Sequence, residues 1–286
     1  MRKKKNSEIG VLSQLVKTPS GLIGTIIIAL LLITAIFAPI LSPYDFSTQN
    51  ISERLSGPTS EHHLGTDHLG RDLLSRIIYG TRIALKVAIP AVIISLFIGV
   101  LLGLIAGYFG GIIDYIIIII LDTIQSLPSI VLALVMLTLL GPSLTNLIVV
   151  MGLTLFPGYS RVVRAQVMSA RQELYVDAEK ALGAKPLRII AGHILPNVVP
   201  AVIILSTMDL PAVITIEAGL SFLGMGVRPP SPSWGVILND GFSHFRQSPW
   251  PIITAGAALA ITTFGFTLFG ESLRDILDPK MSGMDS

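Results

Sequence analysis

Residues 21–41 contain no charged side chain, and residues 88–113 form a second charge-free run. A bilayer core takes about 20 predominantly apolar residues per helix. Runs of this length constrain the fold more than any other feature of the chain. The composition agrees: 51% of the 286 residues are hydrophobic and only 13% charged, against about 25% charged in soluble domains. A water-soluble fold of this size needs more charge to cover its surface. A disordered chain would show low apolar content and high net charge, whereas the formal net charge here is +2.

Six spans are predicted. The first, Gly21–Leu41, follows Arg2-Lys3-Lys4-Lys5. It exceeds the ~7–15 apolar residues of a signal peptide and has no A-x-A site after it, so it reads as an uncleaved span. Ala88–Ile113 is the second and carries Gly99, Gly103 and Gly107. Small residues spaced by four let helix backbones approach closely in lipid, here as intramolecular packing rather than a dimerisation signal. Tyr115–Leu140 is interrupted only by Asp122 and ends at Gly141-Pro142-Ser143. Asn146–Tyr159 runs up to Arg161 and Arg164, and Pro196–Ile216 holds Asp209. Trp250–Phe269 is the sixth, with Trp250 as an interface anchor. The expected fold class is an all-α polytopic membrane protein with both termini on one side.

Lysine and arginine placement sets that side. With both ends inside, thirteen of the twenty basic residues are cytoplasmic: five in residues 1–20, six in residues 161–197, and Arg274 and Lys280. Arg71, Arg76, Arg82 and Lys86 crowd the outer end of the second span, where an amphipathic helix lying on the interface is expected.

The inside loop 161–197 does not have the composition of a loop. Gln172–Leu182 reads as a helix, with Leu174, Ala178, Ala181 and Leu182 at helical spacing. Gly183 sits where a helix commonly ends. Lys185-Pro186 opens a second short helix, and His193-Ile194-Leu195-Pro196 enters the fifth span.

The sequence Tyr175-Val176-Asp177-Ala178-Glu179-Lys180-Ala181-Leu182-Gly183-Ala184, followed by His193-Ile194-Leu195-Pro196-Asn197, resembles the EAA loop of ABC-importer permeases. Asp177 stands where that family usually has Glu, and Glu179 where it usually has the second Ala. Three further stretches resemble the second permease of the dipeptide, oligopeptide and nickel branch. They are Leu64–Asp72 with Tyr79-Gly80-Thr81-Arg82, Glu217–Gly226 with Pro229-Pro230 and Ser233-Trp234-Gly235, and Leu273–Lys280. The resemblance implies a type I ABC-importer permease fold. Its expected divisions are a basic tail at 1–20, a first helix and external loop at 21–84, a transmembrane domain at 85–275 and a tail at 276–286. It also implies the residues that would couple to a separate ATPase: Tyr175, Val176, Asp177, Ala178, Glu179, Ala181, Leu182, Gly183, Ala184, Leu195 and Pro196. The partners implied are a second homologous permease, one or two ABC ATPase subunits, an extracytoplasmic solute-binding protein and membrane lipid, with no nucleic acid. ATP and Mg would reside in the ATPase subunits. The implied location is the plasma (inner) membrane. The solute is a di- or oligopeptide or a similar small molecule; nickel, glutathione and oligosaccharides remain open.

No G-x-x-x-x-G-K-[ST] occurs, and no catalytic signature, so the chain is expected to be neither an ATPase nor another enzyme. It has no cysteine. His62, His63, Asp67 and His68 have metal-ligating side chains, but the resembled family commonly has histidine there whatever its solute. The expectation is a polar loop without a metal. Asp122 and Asp209 lie within apolar spans and are pathway candidates by default. They also support an alternative, an ion-coupled secondary transporter using both acids as relays.

Overall fold

The structure is a computed structural model, and it describes residues 13–277. The Arg2–Lys5 cluster and Lys280 lie outside the described residues. The long elements are all helices. We number them α1 (Pro19–Ile36), α2 (Leu73–Phe109), α3 (Gly111–Gln125), α4 (Ser129–Leu140), α5 (Leu144–Ala170), α6 (Leu174–Ala181), α7 (Leu195–Phe222), α8 (Trp234–Ser243) and α9 (Trp250–Leu277).

Among the described residues, five helical stretches are long and apolar enough to cross a membrane, and the bent pair α3–α4 makes a sixth if it is one span. The sequence reads residues 115–140 as a single run, but the chain turns by 83° between α3 and α4. The cause is local. Pro128 has no N–H for the helix ladder and disfavours helical geometry at Leu127. Conversely, no break occurs at Leu210-Pro211, where one could have served Asp209; α7 continues through it.

The expected interfacial helix around Arg71–Lys86 is not a separate element. α2 runs unbroken from Leu73 to Phe109. Arg71 and Arg76 do not lie flat on an interface; both are buried against Asp67. Pairing with a buried carboxylate replaces the solvation an interface would have supplied.

The chain divides into two compact units. Of the described residues, one comprises 13–89, 136–148 and 208–277. In it α1 packs on α9 through glycines. A Cβ on Gly24 would lie 2.6 Å from the Phe269 nitrogen, and one on Gly265 would lie 2.3 Å from Ile27 Cγ2. Thr18 caps α1 by accepting from the Gly21 N–H at 3.2 Å. The two ends of the stretch from Glu217 to Gly235 meet in a buried polar contact. Glu217 Oε1 accepts the hydroxyls of Ser221 at 2.6 Å and Ser233 at 2.8 Å. Ser233 also caps α8, and Trp234 Nε1 donates to the Ile77 carbonyl at 3.1 Å.

The other unit comprises Pro90–Val135 and Val149–Thr207. Here Gly99, Gly103 and Gly107 meet α5. Cβ atoms at these positions would lie 2.3 Å from Tyr159 Cβ, 2.6 Å from the Ser160 carbonyl and 2.7 Å from Val167 Cβ. The stripe therefore serves packing within the chain. Ala106, Ile117, Leu121 and Phe156 fill the core beside it.

Candidate functional site

The segment between α5 and α7 is helical almost throughout. α6 spans Leu174–Ala181, shorter at both ends than Gln172–Leu182. It stops through a glycine turn. Gly183 has φ +77°, which only glycine adopts without strain. The Gly183 N–H donates to the Lys180 carbonyl, and the Ala184 N–H to the Glu179 carbonyl, both at 3.0 Å. These two bonds are the Schellman pattern, which satisfies carbonyls that the helix end would orphan. Pro186 then starts a single turn, Pro186–Ile189, followed by a π-helical turn, Ile190–Ile194, that leads into α7.

One face of α6 is tied down. Val176 is fully buried, as are Ile189 and Ile194. His193 Nε2 lies 3.2 Å from Glu179 Oε1. Asn197 Nδ2 donates to Tyr175 Oη at 3.1 Å, and the Tyr175 and His193 rings are 6.0 Å apart. The opposite face is open and apolar: Leu174 is 85% exposed and Leu182 84%, with Ala178 and Ala181 also exposed along the same stripe. Leu187 of the next turn is 77% exposed. Amphipathic helices normally turn their apolar stripe inward, whereas this one presents it. Asp177 sits beside the stripe, 3.0 Å from Lys180 Nζ. A cavity of about 540 Å³ opens next to it, lined by Gly107, Gly110, Asp114, Met168, Arg171 and Asp177 among others.

Of the expected coupling residues, Ala178, Ala181, Leu182 and Gly183 face outward, whereas Val176 and Glu179 face inward and hold the helix in place. Leu174, Leu187, His193 and Asn197 were absent from the expected set. The helical spacing of Leu174 to Leu182 was a sufficient signal for the first. His193 and Asn197 needed the fold of the turn at Gly183.

Asp122 and Asp209 do not behave alike. Asp122 accepts a hydrogen bond from Arg161 Nη2, and both side chains are about half exposed. Asp209 is half-buried in α7.

The histidines between α1 and α2 separate into two groups. His62 Nδ1 is 2.9 Å from Asp72 Oδ1, and its Nε2 is 3.2 Å from Glu53 Oε2. Burial by itself would lower the His62 pKa, but the hydrogen bonds to Asp72 and Glu53 outweigh it and raise the pKa. His68 stacks on His244 at 5.1 Å and approaches Asp240. Burial, as the main cause, lowers its pKa. Asp67, His68 and Asp240 offer ligand atoms within 4.8 Å of one another. Arg71 Nε is already 2.6 Å from Asp67, and Arg76 Nε 3.3 Å. Those two guanidinium groups fill the positive side of the cluster and repel a cation.

The model of the family described as "binding-protein-dependent transport system inner membrane component" matches residues 99–283. The chain belongs to that family. Residues 10–58 also match the N-terminal transmembrane domain of oligopeptide transport permease C. A dipeptide transport system permease protein of Alkalihalophilus pseudofirmus is 42% identical over 94% of this chain and 88% of its own length. An oligopeptide transport system permease of Bacillus subtilis is 38% identical over 91% and 86% of the two chains. A nickel transport system permease of Escherichia coli is 36% identical over 91% and 94%. Among solved structures, a chain of the inward-facing MetNI methionine ABC transporter superposes with a TM-score of 0.56 at 18% identity. It covers 72% of this chain and 98% of its own. The binding-protein-dependent permease described here thus has the type I importer fold. It is a multi-pass membrane protein and a permease subunit of an ABC importer. None of these relatives supports the ion-coupled carrier reading of Asp122 and Asp209.

Proposed function

We propose that this chain is one of two permease subunits that import di- or oligopeptides, with both termini in the cytoplasm. ATP and Mg are bound and used by separate ATPase subunits, and solute arrives from an extracytoplasmic binding protein. Residues 161–197 couple the two halves. The observation that carries this reading is the outward apolar stripe of α6, Leu174 to Leu182, on a helix anchored from behind by Val176, Glu179 and Tyr175. A stripe of this kind fits a groove in a rigid partner. The anchors, running into α7 through a short turn, pass its movement to a span rather than absorbing it. The solute class rests on the peptide permeases among the relatives. Asp122 and Asp209 remain pathway candidates on this reading.

The test is reconstitution of the chain with its partner permease, ATPase subunits and binding protein in vesicles, followed by uptake of labelled dialanine. Uptake should require ATP inside. Gly183→Pro should abolish it without blocking membrane insertion, because proline cannot adopt φ +77° or donate to the Lys180 carbonyl. Wild-type uptake in that variant would refute the coupling role.

A further inference from the structure

Asp122 and Arg161 form an ion pair in an unusual place. Asp122 lies eleven residues past Gly111, the start of α3, or about 17 Å along the helix. Arg161 lies nine residues before Ala170, the end of α5, or about 14 Å. With α3 and α4 taken as one broken span, Asp122 falls near its middle, and the ion pair draws Arg161, counted above among the cytoplasmic basic residues, to the same depth. Yet Arg161 is 49% exposed and Asp122 58%. Charged side chains at that depth almost always face a bundle interior or a water-filled cavity.

A second observation concerns the backbone. α3 ends at Gln125 and α4 begins at Ser129 with an 83° bend. The three residues between them, Ser126, Leu127 and Pro128, are exposed. Non-helical backbone at membrane depth is tolerated only where protein covers it or where it lines water. Thr123, Gln125 and Ser126 are exposed around the break. The Ser126 hydroxyl donates to the Thr123 carbonyl at 2.7 Å. The apolar residue Ile120, two positions before Asp122 and so about 200° around the helix, is 49% exposed and suits lipid.

We infer that the Asp122–Arg161 face, with the α3–α4 break, lines the aqueous translocation pathway and takes the two charged ends of a zwitterionic solute. Arg161 receives the carboxylate and Asp122 the ammonium group. With no solute present, the two groups neutralise each other. A zwitterion exchanges that one pair for two, and the net charge of the passage stays zero. A bare metal cation that takes Asp122 leaves the Arg161 guanidinium unpaired beside it. A lone anion meets Asp122. The site therefore favours free-ended peptides over a nickel ion. The inference rests on the import reading above and adds the solute chemistry to it.

The chain has no cysteine, so single cysteines can be placed without background from it. In the reconstituted complex, Ser126→Cys and Ile120→Cys are exposed to membrane-impermeant methanethiosulfonates, one cationic and one anionic. Modification of this chain is read by mass spectrometry. Ser126→Cys should react and Ile120→Cys should not. Adding Asp122→Asn to Ser126→Cys should lower the cation-to-anion rate ratio, and adding Arg161→Gln should raise it. Each ratio should shift up to about tenfold, because one unit charge about 6 Å away in water changes the two reagents' rates about threefold each in opposite directions. Millimolar dialanine should slow the reaction more than N-acetylalanine or alanyl-alaninamide does. Unreactive Ser126→Cys in a complex that still imports dialanine would overturn the pathway assignment while leaving the import reading intact. Reactivity with no ratio shifts, or with no preference for dialanine, would overturn the role of the charge pair. If wild-type complex shows no ATP-driven uptake, the import reading itself fails.

Discussion

His193 Nε2 lies 3.2 Å from Glu179 Oε1, so the second acid of α6 points back into the chain. The contact joins α6 to the π-helical turn that leads into α7. Together with Tyr175–Asn197 it makes the helix a strut, one whose displacement must displace the span.

Cutting that strut should separate ATP hydrolysis from transport. In the reconstituted complex, Glu179→Gln combined with Asn197→Ala should lower uptake about tenfold, equivalent to about 1.4 kcal/mol of lost coupling. Assembly and basal ATP hydrolysis should change little, because neither residue is on the exposed stripe. Uptake at the wild-type rate would show that the strut is ornamental.

The exposed stripe itself makes the opposite prediction. Fully burying a leucine side chain stabilises an interface by about 1.5–3 kcal/mol, so Leu182→Asp should weaken ATPase association tenfold or more. Leu174→Asp should act in the same direction. Thermal stability of the isolated chain in detergent should be unaffected, since both side chains are more than four-fifths exposed. Affinity between the purified chain and its ATPase subunit, measured by light interferometry, checks this.

Much of this architecture is legible in the sequence because it is local. Hydropathy places the spans, Gly183 marks the helix end, and Gly99, Gly103 and Gly107 announce a close helix contact. What is not legible depends on partners far away along the chain. Asp122 reads as a lone acid in lipid because Arg161 is 39 residues off. Arg71 and Arg76 read as interface residues because their burial depends on how residues 42–72 fold over Asp67 and toward Asp240, 169 residues from Arg71. The break at Pro128 was present in the sequence, but hydropathy averaged across it hides a three-residue interruption.

The glycine stripe predicts asymmetric tolerance to substitution. Gly103→Val should destabilise the chain by about 1–3 kcal/mol, the usual cost of overpacking, since its Cβ already falls 2.6 Å from the Ser160 carbonyl and 2.7 Å from Val163 Cβ. Gly158→Ala in α5 meets nothing within 4 Å and should be neutral or slightly stabilising. Thermal shift of the two variants in detergent separates packing from helix propensity.

His62 gives the segment between α1 and α2 a dependence on pH. Its imidazolium is held by Asp72 on one nitrogen and Glu53 on the other, with the Tyr44 ring 4.9 Å away. Asp72 also accepts from the Ser75 N–H and hydroxyl at the start of α2, both at 2.7 Å. The pKa of His62 is raised above its ordinary 6.5, because the two carboxylates outweigh the opposing effect of burial. A group with a raised folded pKa contributes stability that is complete below its unfolded value and fades as pH rises through the folded one. Below pH 6.5, His62→Gln should therefore destabilise this segment most, and the penalty should shrink as pH rises beyond the raised value. Limited proteolysis between residues 42 and 72, run on wild type and variant across that range, reads it directly. Cleavage of the wild type should accelerate at alkaline pH while the variant stays flat. Parallel curves would mean that the imidazole acts only as a neutral hydrogen-bonding group.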